Sequence, residues 1–315
     1  MNYLKLTKKF LLPLGIVGLI LNSKPSRSAE WSENPAMVSC TTGHQDMSNA
    51  AVGVDHSQPF SITSSETNPH KSCLGTPEGY EITLFKIGMC TKNPFDENDD
   101  AVDLDFTTDN GCVWTMESDS GSVVDLGSNL NQSLSLPSAK TRPPSGTYKH
   151  FLIVMNPNIK LKGSYTTTDT TNGGTFYTKP AATVSTDGEF DKSLSSAQFF
   201  TSEFDSSLGF STRGSCSYSY QRTVSTGSNQ GVVRAVLTND LLNTQTSCSG
   251  VTRLVGAFKA TNPLVINDDT NGLEIQFSIT GAGLMIEGGG NWDRGLINQP
   301  VFANSGDFVP AFTKF

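Results

Sequence analysis

No two cysteines in this chain lie closer than 17 residues, so the C-x2-C pairs that thiolate zinc sites need are missing. No H-E-x-x-H and no G-x-S-x-G occurs, and none of the many serines is marked out by its neighbours as a nucleophile. Histidine is scarce, with four in 315 residues, and charged residues make up only 17% of the chain. Basic residues are the scarcer sign, 22 against 30 acidic. That balance argues against nucleic acid as a partner, because phosphate binding requires clustered Lys and Arg. Apolar runs long enough to span a bilayer, about 20 residues, are also missing.

The N-terminus has its own grammar. Lys5, Lys8 and Lys9 precede an apolar stretch over residues 10–21, broken only by Pro13 and glycines, and Ser26-Arg27-Ser28-Ala29 follows. Basic, apolar and small-residue regions in that order read as a secretory signal peptide, residues 1–28, cleaved after Ser28. The expected location is therefore the periplasm, the cell surface or the exterior. Cleavage removes five basic residues and no acidic ones, leaving 17 against 30 and a net charge of −13 in place of −8. The first cysteine is Cys40, so a lipid-anchored mature end is not supported.

In an exported chain the six cysteines read as disulfides, which allow 15 pairings. The sequential set is expected: Cys40 with Cys73, Cys90 with Cys112, and Cys216 with Cys248. Each closes a loop of a few tens of residues, stabilising the fold by about 3 to 4 kcal/mol on the chain-entropy account.

Short alternating segments bounded by Gly, Pro, Asn, Asp, Ser and Thr recur, with strands expected at 80–90, 112–117, 147–155, 159–167, 216–224, 231–238, 252–260 and 273–286. The fold class is all-β, an antiparallel β-sandwich of transthyretin-like or immunoglobulin-like kind, one large domain or two small ones. A polar lead-in (29–78) precedes the sandwich (79–287, with a subdivision near 168–215), and a Gly- and aromatic-rich tail (288–315) follows. Asn156-Pro157-Asn158, Asn172-Gly173-Gly174 and the 267–272 segment ending in Asn271-Gly272 supply hairpin signals. Leu194, Ala197, Phe200 and Phe204 stand at helical spacing, so a short helix is expected near 193–204. Tyr148 follows Pro144-Ser145-Gly146-Thr147 as a corner tyrosine, its hydroxyl bonded to nearby backbone.

Two loops invite a metal. Asp96, Glu97, Asp99, Asp100 and Asp103 crowd hard oxygen ligands of the kind calcium takes, although the spacing matches no known calcium loop and a solvated hairpin tip is the preferred reading. His44, His56 and His70, with Asp46 or Asp55, offer imidazole and carboxylate in the lead-in, where solvated polar residues are again preferred. Aromatics able to stack on a sugar (Trp114, Trp292, Tyr177, Tyr218, Tyr220) are few and scattered.

The 80–90 strand, Val124-Asp125-Leu126, Pro144-Ser145-Gly146-Thr147-Tyr148 and the closing segments 264–266 and 273–277 together resemble a family of exported bacterial β-sandwich proteins of unknown function, common among lipoproteins. The resemblance covers residues 80–287, lacks the lipid-attachment cysteine, and implies a surface sandwich with no catalytic residues to carry over. The expectation is an exported noncatalytic protein, structural, adhesive or ligand-binding, with no cofactor other than a candidate calcium ion. Protein or glycan surface partners and self-association suit it. The alternatives are a subunit of an extracellular appendage or surface array assembled by strand addition, with the tail as donor, and a secreted metal-dependent or carbohydrate-active hydrolase.

Overall fold

The structure, a computed structural model, describes residues 39–40, 45–46, 71–95, 104–127, 141–167, 173–182, 188–203, 220–226, 229–245, 248–288, 300–306 and 309–314. Among these residues the regular structure is strand, apart from two short 3-10 turns, and no helix is long and apolar enough to cross a membrane. Strands are numbered in chain order.

One sheet holds β1 (Gln45–Asp46), β2 (Lys71–Gly75), β7 (Ser164–Thr167), β8 (Gly174–Pro180), β9 (Gly188–Asp191), β15 (Leu284–Gly288) and β16 (Pro300–Ser305), in the order β1-β2-β15-β16-β9-β8-β7. The other holds β3 (Gly79–Cys90), β4 (Cys112–Asp125), β5 (Gly146–Met155), β6 (Asn158–Lys162), β10 (Phe200–Glu203), β11 (Tyr220–Thr226), β12 (Asn229–Thr238) and β13 (Arg253–Ile266). Its order is β10-β6-β3-β5-β13-β12-β11, with β4 on the free edge of β3. A two-stranded ribbon pairs β14 (Leu273–Ser278) with β17 (Val309–Lys314). All these strand pairs are antiparallel, and the two sheets pack as a β-sandwich.

Apolar residues on both faces of the central strands dictate this. Ile82, Leu84, Ile87, Ile153, Met155, Leu237 and Leu254 of the second sheet bury against Cys73, Leu284, Ile286 and Ala303 of the first. Leu152, Val154, Val236 and Val255 point the opposite way and are buried in a second, outer cluster. A sheet apolar on both faces must be covered on both.

The registers revise several sequence readings. Gly79, Tyr80 and Glu81 of β3 pair with β6, and Leu84 to Cys90 of the same strand pair with β5. Residues 146–162 therefore form one bent strand along β3, and Asn156-Pro157-Asn158 is a bulge within it rather than a hairpin turn. The Asn156 N–H donates to the Thr83 carbonyl at 2.9 Å, which keeps the interrupted ladder satisfied. The 267–272 turn likewise joins β13 to β14, which are not partners, whereas the Asn172-Gly173-Gly174 signal stands between β7 and β8, which are. The expected helix at 193–204 does not form. Residues 192–199 are turn and irregular backbone, and Phe200–Glu203 is strand β10, Phe200 pairing with Leu161 of β6. Ser and Thr are poor helix formers, and a buried edge of β6 offers this segment more than an isolated helical turn does. Phe204 lies outside the described residues.

The sandwich also draws on segments either side of 79–287. From the lead-in, β2 pairs with β15, and from the tail, β16 lies between β15 and β9. The β15–β16 pair lies in the first sheet and the β14–β17 pair over the second, against β13. Phe312 of β17 stacks on Phe151 at 4.0 Å between ring centroids. Just after β16 a Cβ on Gly306 would stand 2.0 Å from the Ala282 carbonyl oxygen. Gly306→Ala is expected to lower the unfolding free energy by about 1 to 3 kcal/mol through overpacking. Gly256→Ala, whose nearest neighbour is 4.0 Å away, should leave the urea midpoint unchanged or raised.

Two buried tyrosines are anchored by their hydroxyls. Tyr148 donates to the Pro144 carbonyl at 2.9 Å, the corner contact expected from sequence, and burial raises the pKa of its hydroxyl. Fully buried Tyr80 reaches across the sandwich to the Ser305 hydroxyl at 3.0 Å, while the Ser305 N–H donates to Ser202 Oγ at 3.1 Å. Tyr80→Phe should destabilise by about 1 kcal/mol in urea unfolding, the usual net worth of one such bond.

Candidate functional site

The outer face of β3 and β4 carries the most chemistry in the fold. Cys90 and Cys112 face each other in register and are bonded, and the described flanks of the connection between them put Phe95, Leu104 and Phe106 on the outer cluster. These flanks meet at a bridge between Phe95 and Leu104, and the Asp105 N–H donates to the Pro94 carbonyl at 2.8 Å. Gly111, at φ 62°, ends a short 3-10 turn, where a Cβ would collide with the Thr91 hydroxyl. Phe95 is buried beneath the guanidinium of Arg234, 5.0 Å from the ring centroid, and Arg234 itself is only 4% exposed.

Beside this loop lies a half-buried row of rings and charges. Trp114 rests on Gly88, where a Cβ would lie 2.6 Å from its ring, and Phe106 tilts against it at 5.4 Å. Lys86 stands over Trp114 at 5.4 Å and bonds Glu117 at 2.8 Å. Arg253 of β13 covers Phe85 at 3.7 Å. Strand glycines under aromatic rings are how the sequence flattens these side chains onto the sheet. In sequence, the stretch that includes β4 is one-sided in charge: from Asn93 to Ala139 the chain has ten carboxylates and no Lys or Arg.

The candidate calcium ligands Asp96, Glu97, Asp99, Asp100 and Asp103 lie outside the described residues, as do His44, His56, His70, Asp55, Trp292 and Tyr218. Two expected disulfides are present, Cys40 with Cys73 and Cys90 with Cys112; Cys216, half of the third, is outside the described residues. The next carboxylate after the acidic run, Asp105, accepts from the Thr107 N–H at 2.9 Å, and its bonds from Thr107 hold its pKa below the usual value. Among the described residues no three His, Cys, Asp or Glu side chains gather as metal ligands. Asp268 belongs to the turn after β13, accepting from Ser145 Oγ at 3.1 Å. Comparison of the chain with protein families, with curated proteins and with solved structures finds no match.

Most other titratable groups in view serve the fold. Asp191 takes Lys179 Nζ at 2.7 Å and the Ser193 hydroxyl and N–H, which together hold its carboxyl well below the usual range. Asp125 accepts from the backbone of Tyr80 and Gly127 at 3.2 and 2.9 Å. Sequence reasoning missed the Lys86–Glu117–Trp114 group. Its signal was there in Lys86 and Gly88, which break the otherwise apolar run from Leu84 to Cys90 of β3.

Proposed function

We propose that the chain is an exported, noncatalytic β-sandwich protein of the cell envelope or exterior, whose role is structural, adhesive or ligand-binding. The observation that carries this reading is the pair of disulfides: one ties Cys40 to Cys73 of β2, the other joins the end of β3 at Cys90 to the start of β4 at Cys112. Such bonds persist in oxidising compartments. The reading is further supported by the use of Asp125, Asp191 and Tyr80 as internal anchors. Fractionation of source cells, with non-reducing mass spectrometry of the recovered chain, tests it. The expected result is a chain begun at Ala29, bridged, in the envelope or medium. A reduced chain retaining residues 1–28 in the cytosol, or hydrolytic turnover abolished by one substitution, would sink it.

A second reading, assembly by strand addition, is favoured by the outermost place of β4 and β11 in the second sheet among the described residues. It needs a different contact from the tail, because β16 is already paired with β15 and β9, and β17 with β14.

A further inference from the structure

Three Asn-Gly pairs occur in the chain, at 110–111, 172–173 and 271–272, and the first and last lie among the described residues. The fold treats these two differently. At Asn110-Gly111 each step of the backbone is held: the Asn110 N–H donates to the Thr107 carbonyl at 3.2 Å and the Gly111 N–H to the Thr108 carbonyl at 2.8 Å, with Gly111 at φ 62°. The Asn110 carboxamide donates to the Asp105 carbonyl at 3.3 Å, and the Cys90–Cys112 bond follows directly after Gly111.

Asn271-Gly272 lies between two fixed points and belongs to neither. On one side Thr270 is buried and tied to Asn267, its N–H donating to the Asn267 carbonyl and its hydroxyl to Asn267 Oδ1, both at 3.0 Å. On the other side Leu273 opens β14 and pairs with Lys314. Asn271 is exposed, and among the described residues no hydrogen bond engages its carboxamide or the Gly272 N–H. Other turn asparagines use that carboxamide to hold the backbone: Asn93, Asn156 and Asn239 each accept from the N–H two residues on.

We propose that Asn271 is a site of spontaneous, irreversible modification: deamidation through a succinimide formed with Gly272. Glycine in the following position removes the Cβ that would obstruct its own nitrogen's approach to the carboxamide. An N–H already bonded to a carbonyl must first give up that bond, which disarms Gly111 and leaves Gly272 ready to react. The Gly272 nitrogen bonds Asn271 Cγ as the Cγ–Nδ2 bond breaks, and the displaced group takes up the proton that the Gly272 nitrogen loses and leaves as ammonia. Water then opens the ring at either carbonyl, giving aspartate or isoaspartate. Either product adds a carboxylate to the turn that already holds Asp268 and Asp269. Isoaspartate also lengthens the main chain by one atom where the β14–β17 pair begins.

Peptide mapping by mass spectrometry tests this on the full mature chain, incubated folded at mildly alkaline pH, with the reduced, guanidinium-unfolded chain as reference. In the folded chain Asn271 should lose its amide at least tenfold faster than Asn110, whose segment must open locally before it can react. Unfolding should bring the two rates together, because glycine follows both. Gly272→Ala, at a glycine without positive φ, should slow the reaction at Asn271 about tenfold with the melting temperature unchanged or raised. Equal rates at Asn110 and Asn271 in the folded chain, a difference that persists on unfolding, or no isoaspartate at Asn271 overturns the assignment.

Discussion

Replacing Cys90 and Cys112 together by alanine should lower the unfolding free energy by about 3 to 4 kcal/mol, with most of the loss from freeing the 91–111 loop in the unfolded state. The sequence separation of 22 sets that figure. The outer cluster makes the loss structural as well as entropic. Leu152, Val154, Val236 and Val255 are buried on the face that this segment covers through Phe95, Leu104 and Phe106. Once the loop can lift, those side chains meet water, at about 25 cal/mol for each Å² of apolar surface exposed. The variant should therefore show both a lower urea midpoint and faster proteolysis within residues 91–111, while Tyr80 and the inner cluster stay protected from hydrogen exchange. An unchanged midpoint would mean that the β3–β4 register holds the loop unaided.

This coupling of a staple to a second core shows what was legible in the sequence. Alternation on β3 and β5 exposed two apolar faces, because long central strands repeat the pattern often enough to stand above chance. Two of the three sequential disulfides are seen: Cys90 and Cys112 sit at the paired ends of β3 and β4, and the Cys40 N–H donates to the Leu74 carbonyl beside Cys73. Continuity was not legible. Asn156-Pro157-Asn158 has the composition of a turn, yet the chain runs straight on along β3, because a bulge and a turn require the same residue types and differ only in which strands lie alongside. Short strands such as β9, β10 and β16 carry too few residues to show a period, and partners distant in sequence determine them: Phe200 is a strand residue because Leu161 lies beside it. The outer row was hidden for the opposite reason. Lys86, Trp114, Glu117 and Arg253 come from three strands, and only the register β4–β3–β5–β13 assembles them.

The pH response of stability provides the second large effect, and it centres on His150. This residue is 5% exposed on β5, in register with Cys90 of β3 on one side and Lys259 of β13 on the other. Burial lowers its pKa to about 4 from 6.5, with the charges of Lys259 and Lys149 adding to the effect. Cys90 contributes no charge, being bonded to Cys112. Between those two values the unfolded chain binds a proton that the folded chain refuses, so stability rises with pH across the window. The contribution is present in full above pH 6.5 and is lost as the pH falls toward 4, by about 3 kcal/mol in total. Carboxylates such as Asp191, held low by Lys179, act in the same direction but at lower pH. Comparison with His150→Gln, which cannot titrate, isolates the histidine. Urea unfolding at pH 7.5 and pH 4.5 should show a steep loss for the parent chain and a much smaller one for the variant. Equal slopes would place His150 in contact with water or with a carboxylate that welcomes its charge.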